Sequence, residues 1–215
     1  MANPSPFRIG RRSLIGSALA LGTAPALAAA KAPVVTILGD SITAGLGLAQ
    51  ADALPARLQA ALGKLGVHAM VRGAGVSGDT TAGGLQRLDF SVQADTAVCV
   101  VALGGNDLLQ GLDPKSMQSN LTRIIERLKQ RRIGVVLCGL TAPQAIGRHY
   151  ARDYDAVFPA VAKAERVTFY PDLRKGVANV KGLTQGDGLH PNAAGVLIIA
   201  RGLAPVVAKA LKAHG

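Results

Sequence analysis

The chain has 215 residues, of which 49% are hydrophobic and 3% aromatic, with no Trp and a formal net charge of +11. That apolar fraction excludes a disordered chain, and glycine without a fixed period excludes collagen-like and fibrous classes. Two cysteines cannot build a disulfide framework, no Cys or His spacing marks a metal site, and no apolar run is clean enough for an obvious membrane span.

The first thirty residues read as an export signal. Arg8, Arg11 and Arg12 form a basic start, Leu14 to Leu27 an apolar stretch, and Ala26-Leu27-Ala28-Ala29-Ala30 two A-x-A cleavage sites, after Ala28 or Ala30. Paired Arg11-Arg12 ahead of Leu14 and Ile15 resembles the twin-arginine subtype. The expectation is a periplasmic or secreted protein with one domain over 31–215. Removing residues 1–30 leaves 21 basic against 13 acidic residues, a net charge of +8. The basic residues are scattered and no aromatic platform accompanies them. Nucleic acid is therefore not an expected partner, and weak attraction to an anionic membrane surface ranks second to a solvated basic surface.

The rest alternates short apolar runs with amphipathic segments. Val34–Leu38 predicts a strand, 52–65 a helix, His68–Arg72 a weaker strand and Thr81–Val92 a helix despite Gly83 and Gly84. Thr96–Leu103 predicts a buried strand. Ser116–Arg132 predicts a helix with Met117, Leu121, Ile124, Ile125 and Leu128 on one face and basic residues at its negative end. Ile133–Leu140 is the next strand, Arg148–Ala164 a helix, Val167–Tyr170 a short strand, and Pro191–Leu211 a closing core helix with Pro205 as a kink point. Continuous apolar strands alternating with helices predict an α/β fold: a three-layer α/β/α sandwich with about five parallel strands.

In such a sheet, ligands bind beyond the carboxyl ends of the strands. The segments there are Gly39-Asp40-Ser41, Gly73 to Thr80, and Gly104-Gly105-Asn106-Asp107, joined by Asp187-Gly188-Leu189-His190-Pro191 before the last helix. Each has a commoner local explanation, as a cap or a turn. Together, in order, they supply the parts for acyl transfer. Ser41 is the candidate nucleophile, His190 its base and Asp187 the carboxylate that orients the imidazole. The Asn106 side chain, the Gly78 N–H and the Ser41 N–H can form an oxyanion hole.

These motifs resemble those of the SGNH hydrolases, also called GDSL-type esterases. Gly39-Asp40-Ser41 resembles the first block, Ser77-Gly78-Asp79-Thr80 the second, Gly104 to Asp107 the third and Asp187-x-x-His190-Pro191 the fifth. The similarity is greatest to the periplasmic branch with thioesterase, arylesterase and lysophospholipase activity, with Gly73 standing where that branch often has Asn. The resemblance implies a flavodoxin-like fold and a serine esterase acting on small ester or thioester substrates. It implies no metal and no organic cofactor. A monomer is expected. Leu108, Leu109, Leu112, Ala142, Pro143 and Ile146 are apolar loop residues expected to flank the site, favouring an acyl or aryl group over a sugar.

Two alternatives belong to other classes. Gly73-x-Gly75-x-x-Gly78 matches the dinucleotide fingerprint and would suit an exported NAD-dependent oxidoreductase, but no acidic residue ends the following strand. The other is a binding domain of the same fold without catalysis. Cys99 and Cys138 fall in neighbouring strands, and either free thiols or a disulfide would fit, with free thiols the expectation.

Overall fold

The computed structural model describes residues 1–2 and 32–214, so the segment expected to be an export signal lies outside the described residues apart from its first two positions. Five strands, β1 (Val34–Gly39), β2 (Met70–Gly75), β3 (Thr96–Ala102), β4 (Gly134–Cys138) and β5 (Thr168–Tyr170), form one sheet in the order β2-β1-β3-β4-β5. Every pairing is parallel. The helices are α1 (Ser41–Ala44), α2 (Leu54–Lys64), α3 (Thr81–Gln86), α4 (Leu88–Ser91), α5 (Gly105–Leu109), α6 (Pro114–Gln130), α7 (Arg148–Glu165) and α8 (Ala193–His214).

The central strands bury both faces because both are covered. β1 and β4 are buried throughout, and β3 at every position but one. Helix α8 lies on β3, β4 and β5 and packs against α2, while α6 packs against α3 and α7 and lies on β4. The outcome is the expected three-layer arrangement. Helix α8 is long and apolar enough to cross a membrane by length and composition. Its Val196, Ile199, Leu203 and Val207 are nevertheless buried in the core, and it runs through Pro205 as one helix.

Helix α6 shows how sequence sets an element. Asp113 caps it by accepting the Lys115 N–H at 3.1 Å, and Pro114 opens it. Met117, Leu121, Ile124, Ile125 and Leu128 are buried along one stripe. Each such side chain contributes roughly 1.5–3 kcal/mol relative to exposure. The basic end of this helix makes specific contacts: Arg127 and Arg131 reach Asp89, and Lys129 reaches Glu165 at 3.0 Å.

Three boundaries differ from the sequence reading. β2 continues through Gly73 and Gly75, which therefore belong to the strand and not to the loop after it. The helix expected over 81–92 breaks at Arg87 into α3 and α4. The last helix begins at Ala193, with Asn192 Oδ1 accepting the Gly195 N–H at 3.0 Å, so Pro191 stands outside it. Cys99 and Cys138 are buried free thiols, and burial pushes the Cys99 thiol up to about 12.

Candidate active site

The strand order changes direction between β1 and β3, and the site forms at this switch point. β1 delivers Asp40 and Ser41. The Asp40 carboxylate accepts the Ile42 N–H at 3.0 Å and caps α1, which places Ser41 on its first turn. Helix α1 can rest against β2 because Gly75 has no side chain: a Cβ there would stand 2.3 Å from the Ala44 nitrogen. A Cβ on Gly73 would likewise meet Pro55 at 2.8 Å. Two of the three fingerprint glycines, Gly73 and Gly75, thus serve strand–helix packing and are already closely approached by Pro55 and α1, while Gly78 lies in the turn beyond the strand. The oxidoreductase alternative lacks its structural basis.

Ser41 Oγ lies 2.8 Å from His190 Nε2, and His190 Nδ1 lies 2.5 Å from Asp187 Oδ2. A carboxylate only accepts, so Nδ1 carries the proton and Nε2 is left to accept the Ser41 hydroxyl proton. The Asp187-x-x-His190 spacing forms a tight turn. Asp187 Oδ1 takes the Leu189 and His190 N–H groups at 2.9 and 3.0 Å, while Oδ2 holds the ring. The bond from His190, with help from the two backbone bonds, holds the Asp187 carboxyl down at about 2. Asp187 is thus ionised across the neutral pH range. The loop is tied down by the Gln185 N–H on His190 O at 2.8 Å and by Gln185 Nε2 on Leu46 O, also at 2.8 Å.

The oxyanion candidates come from the other two loops. Val76 to Asp79 form a turn closed by the Asp79 N–H on Val76 O at 3.1 Å, with Gly78 at φ +85°. Only glycine adopts that conformation readily, and among the described residues the Gly78 N–H has no hydrogen-bond partner. Asn106 Nδ2 donates to Asp79 O at 2.9 Å. That bond fixes the amide and leaves its second N–H available.

The sequence reading passed over the residues that hold these loops together. The Arg87 guanidinium meets Asp79 Oδ2 at 2.5 Å, Ala74 O at 2.8 Å and Gly39 O at 2.8 Å, joining the ends of β1 and β2 to the Gly78 turn. Asp107, 1% exposed, accepts the Thr81 N–H at 2.8 Å and the Thr81 hydroxyl at 2.6 Å, fastening α5 to α3. Tyr154 donates to Gly104 O at 3.0 Å. The signal available in the sequence was a lone arginine between two short helical runs and an acid beside Asn106.

The cleft beside Ser41 is lined by Asp40, Ile42, Gly105, Asn106, Leu108, Leu109, Leu140, Arg174, Leu189 and His190. Leu108 and Leu109 are therefore where they were expected. Ala142 and Pro143 line an adjoining groove. Ile146 lines neither, because the short turn Gln144–Ile146 carries it to the surface, where it is 43% exposed. Leu112 is also outside both, and its carbonyl accepts the Tyr150 hydroxyl at 2.7 Å.

The GDSL-like lipase/acylhydrolase family model matches residues 37–197. The chain belongs to this family. It is 37% identical over 182 residues to Esterase TesA of Pseudomonas aeruginosa, covering 84% of this chain and 90% of that protein. It is 34% identical over 165 residues to thioesterase 1/protease 1/lysophospholipase L1 of Escherichia coli K12, covering 76% of this chain and 78% of that protein. The crystal structure of AlinE4, an SGNH-hydrolase family esterase, superposes with a TM-score of 0.71 at 40% identity, covering 84% of this chain and 97% of that chain.

Asp40 gives this family member a pH-dependent stability. It is 5% exposed, and burial pushes its carboxyl up to about 6, against the opposing pull of the Ile42 N–H and His190. The native state then holds a proton that the unfolded chain, titrating near 3.8, releases. Stability therefore falls as pH rises from about 4 to about 6 and levels off above, by a cost on the order of 3 kcal/mol. Asparagine caps a helix as well as aspartate does. Asp40→Asn should match the parent at pH 4 and exceed it at pH 7.5 in denaturant unfolding. An equal difference at both pH values would contradict this assignment.

Proposed function

We propose that the protein is a serine esterase that cleaves carboxylic ester or thioester bonds of acyl or aryl substrates through an acyl-enzyme. The Ser41–His190–Asp187 chain of hydrogen bonds carries this reading. Ser41 Oγ attacks the carbonyl carbon while His190 Nε2 takes its proton, and Asp187 stabilises the imidazolium that forms. The carbonyl oxygen becomes an oxyanion held by Asn106 Nδ2–H and the N–H groups of Gly78 and Ser41. Collapse expels the alcohol or thiol with the proton from His190. Water then attacks the acyl-enzyme through the same groups in reverse, releasing the acid and restoring Ser41.

The leucines of the cleft suit an apolar acyl or aryl group. The names of the relatives from P. aeruginosa and E. coli support an esterase with thioesterase or lysophospholipase capacity. Rates on p-nitrophenyl esters, acyl thioesters and lysophospholipid, measured side by side, test the reading. Turnover of at least the esters is expected, and no turnover of any would overturn it.

Residues 1–30 serve as an export signal of the twin-arginine type, which leaves 31–215 as the mature single-domain enzyme in the periplasm or outside the cell. Replacing Arg11 and Arg12 by two lysines should block export. Normal processing of the Lys-Lys protein would contradict the twin-arginine route.

A further inference from the structure

Arg174 stands apart from the other arginines that approach the core. Arg57, Arg72, Arg87, Arg127 and Arg131 each pair with an aspartate. Among the described residues, the Arg174 guanidinium has neither an ion pair nor a hydrogen bond, and its Nε atom is buried without a partner. Its backbone is fixed after β5. The N–H takes Asp172 Oδ1 at 3.0 Å, and the carbonyl receives the Val177 and Ala178 N–H groups at 2.9 and 3.0 Å. The side chain lines the same cleft as Ser41 and His190, among Leu108, Leu109, Leu140 and Leu189.

A guanidinium keeps its charge at any ordinary pH, and one that lines a cleft with neither an ion pair nor a hydrogen bond has donors open to an anionic partner. Its planar fork matches the paired oxygens of a phosphate or carboxylate, and the leucines beside it offer no acceptor that would compete for its N–H groups. The adjoining groove shares Arg174 and adds Lys175. Its one acidic lining residue, Asp172, is turned back onto the Arg174 N–H.

We propose that Arg174 is a specificity-determining residue that binds an anionic oxygen group of the substrate, a phosphate or a carboxylate, in the cleft that takes the scissile bond. This rests on the esterase reading and names the class of substrate that the site prefers. Two matched pairs test it. p-Nitrophenyl hydrogen glutarate against p-nitrophenyl valerate places a carboxylate on the acyl side. Lysophosphatidic acid against the corresponding monoacylglycerol places a phosphate on the alcohol side. Arg174→Met should lower the anionic-to-neutral ratio of kcat/KM at least tenfold for one pair, and Arg174→Lys should restore part of it. The responding pair identifies the side that carries the charge. An unchanged ratio in both pairs, with or without a general loss of rate, overturns the proposal.

A binding arm needs no turnover. Hexyl phosphate and hexanoate are titrated calorimetrically into the Ser41→Ala protein, and the Arg174→Met change in that background should weaken at least one of them tenfold or more. Hydrolysis of neutral esters without Arg174-dependent anion binding overturns the anion site and leaves the esterase reading intact. Arg174-dependent anion binding in a protein that hydrolyses no ester overturns the esterase reading and upholds the anion site.

Discussion

Ser41→Ala should abolish ester hydrolysis while the protein stays folded. Ser41 is 8% exposed, and its side-chain partner is His190, so truncation removes one oxygen and one hydrogen bond from a pre-built cleft. The helix cap belongs to Asp40 and is untouched. Loss of a serine nucleophile from such a set lowers kcat by on the order of 10⁴ to 10⁶. The cost in stability is that of a single hydrogen bond, about 1 kcal/mol. Steady-state rates beside a thermal unfolding curve check both halves. Undiminished turnover by the variant, with contaminating activity excluded, rules out the mechanism.

The second large effect belongs to Asn106. Its amide is held by the bond to Asp79 O at 2.9 Å, which in turn sits beside the Arg87 anchor. In the proposed mechanism the remaining N–H serves charge that exists only in the tetrahedral intermediate. A neutral ester carbonyl needs that donor much less, so Asn106→Ala should lower kcat far more than it alters KM. The expected loss is on the order of 10²–10³, or roughly 3–4 kcal/mol. Asn106→Asp should be at least as harmful, because a carboxylate repels both the oxyanion and the Asp79 carbonyl. Near-normal kcat with a raised KM would make Asn106 a binding or turn residue instead.

What the sequence made legible was whatever is written in local pattern. β1, β3 and β4 are valine-rich apolar runs buried on both faces, and chemistry-bearing motifs stand directly at the ends of β1 and β3. β2 was harder because it is an edge strand, half-exposed and glycine-rich. Gly73 and Gly75 looked like loop because their purpose, clearance for Pro55 and for α1, is tertiary. Helices α1 and α5, of four and five residues, have no periodicity to detect and depend on tertiary contacts such as the Asp107–Thr81 bonds. The misplacement of Ile146 has a similar cause: an apolar residue near a strand end was taken to face the cleft, whereas a short turn carries it outward. The roles of Arg87 and Arg174 are set by which loops meet in space, and no spacing in the chain encodes that.

The central claim is that Ser41 is a nucleophile activated by His190, and covalent capture tests it most directly. The protein is incubated with diethyl p-nitrophenyl phosphate, and the modified residue is located by peptide mass mapping. The account predicts one adduct per chain, on Ser41, formed in step with loss of esterase activity, and much slower labelling in His190→Ala. Ester hydrolysis that persists without an adduct on Ser41, or an adduct on another residue that accounts for the inhibition, would contradict it.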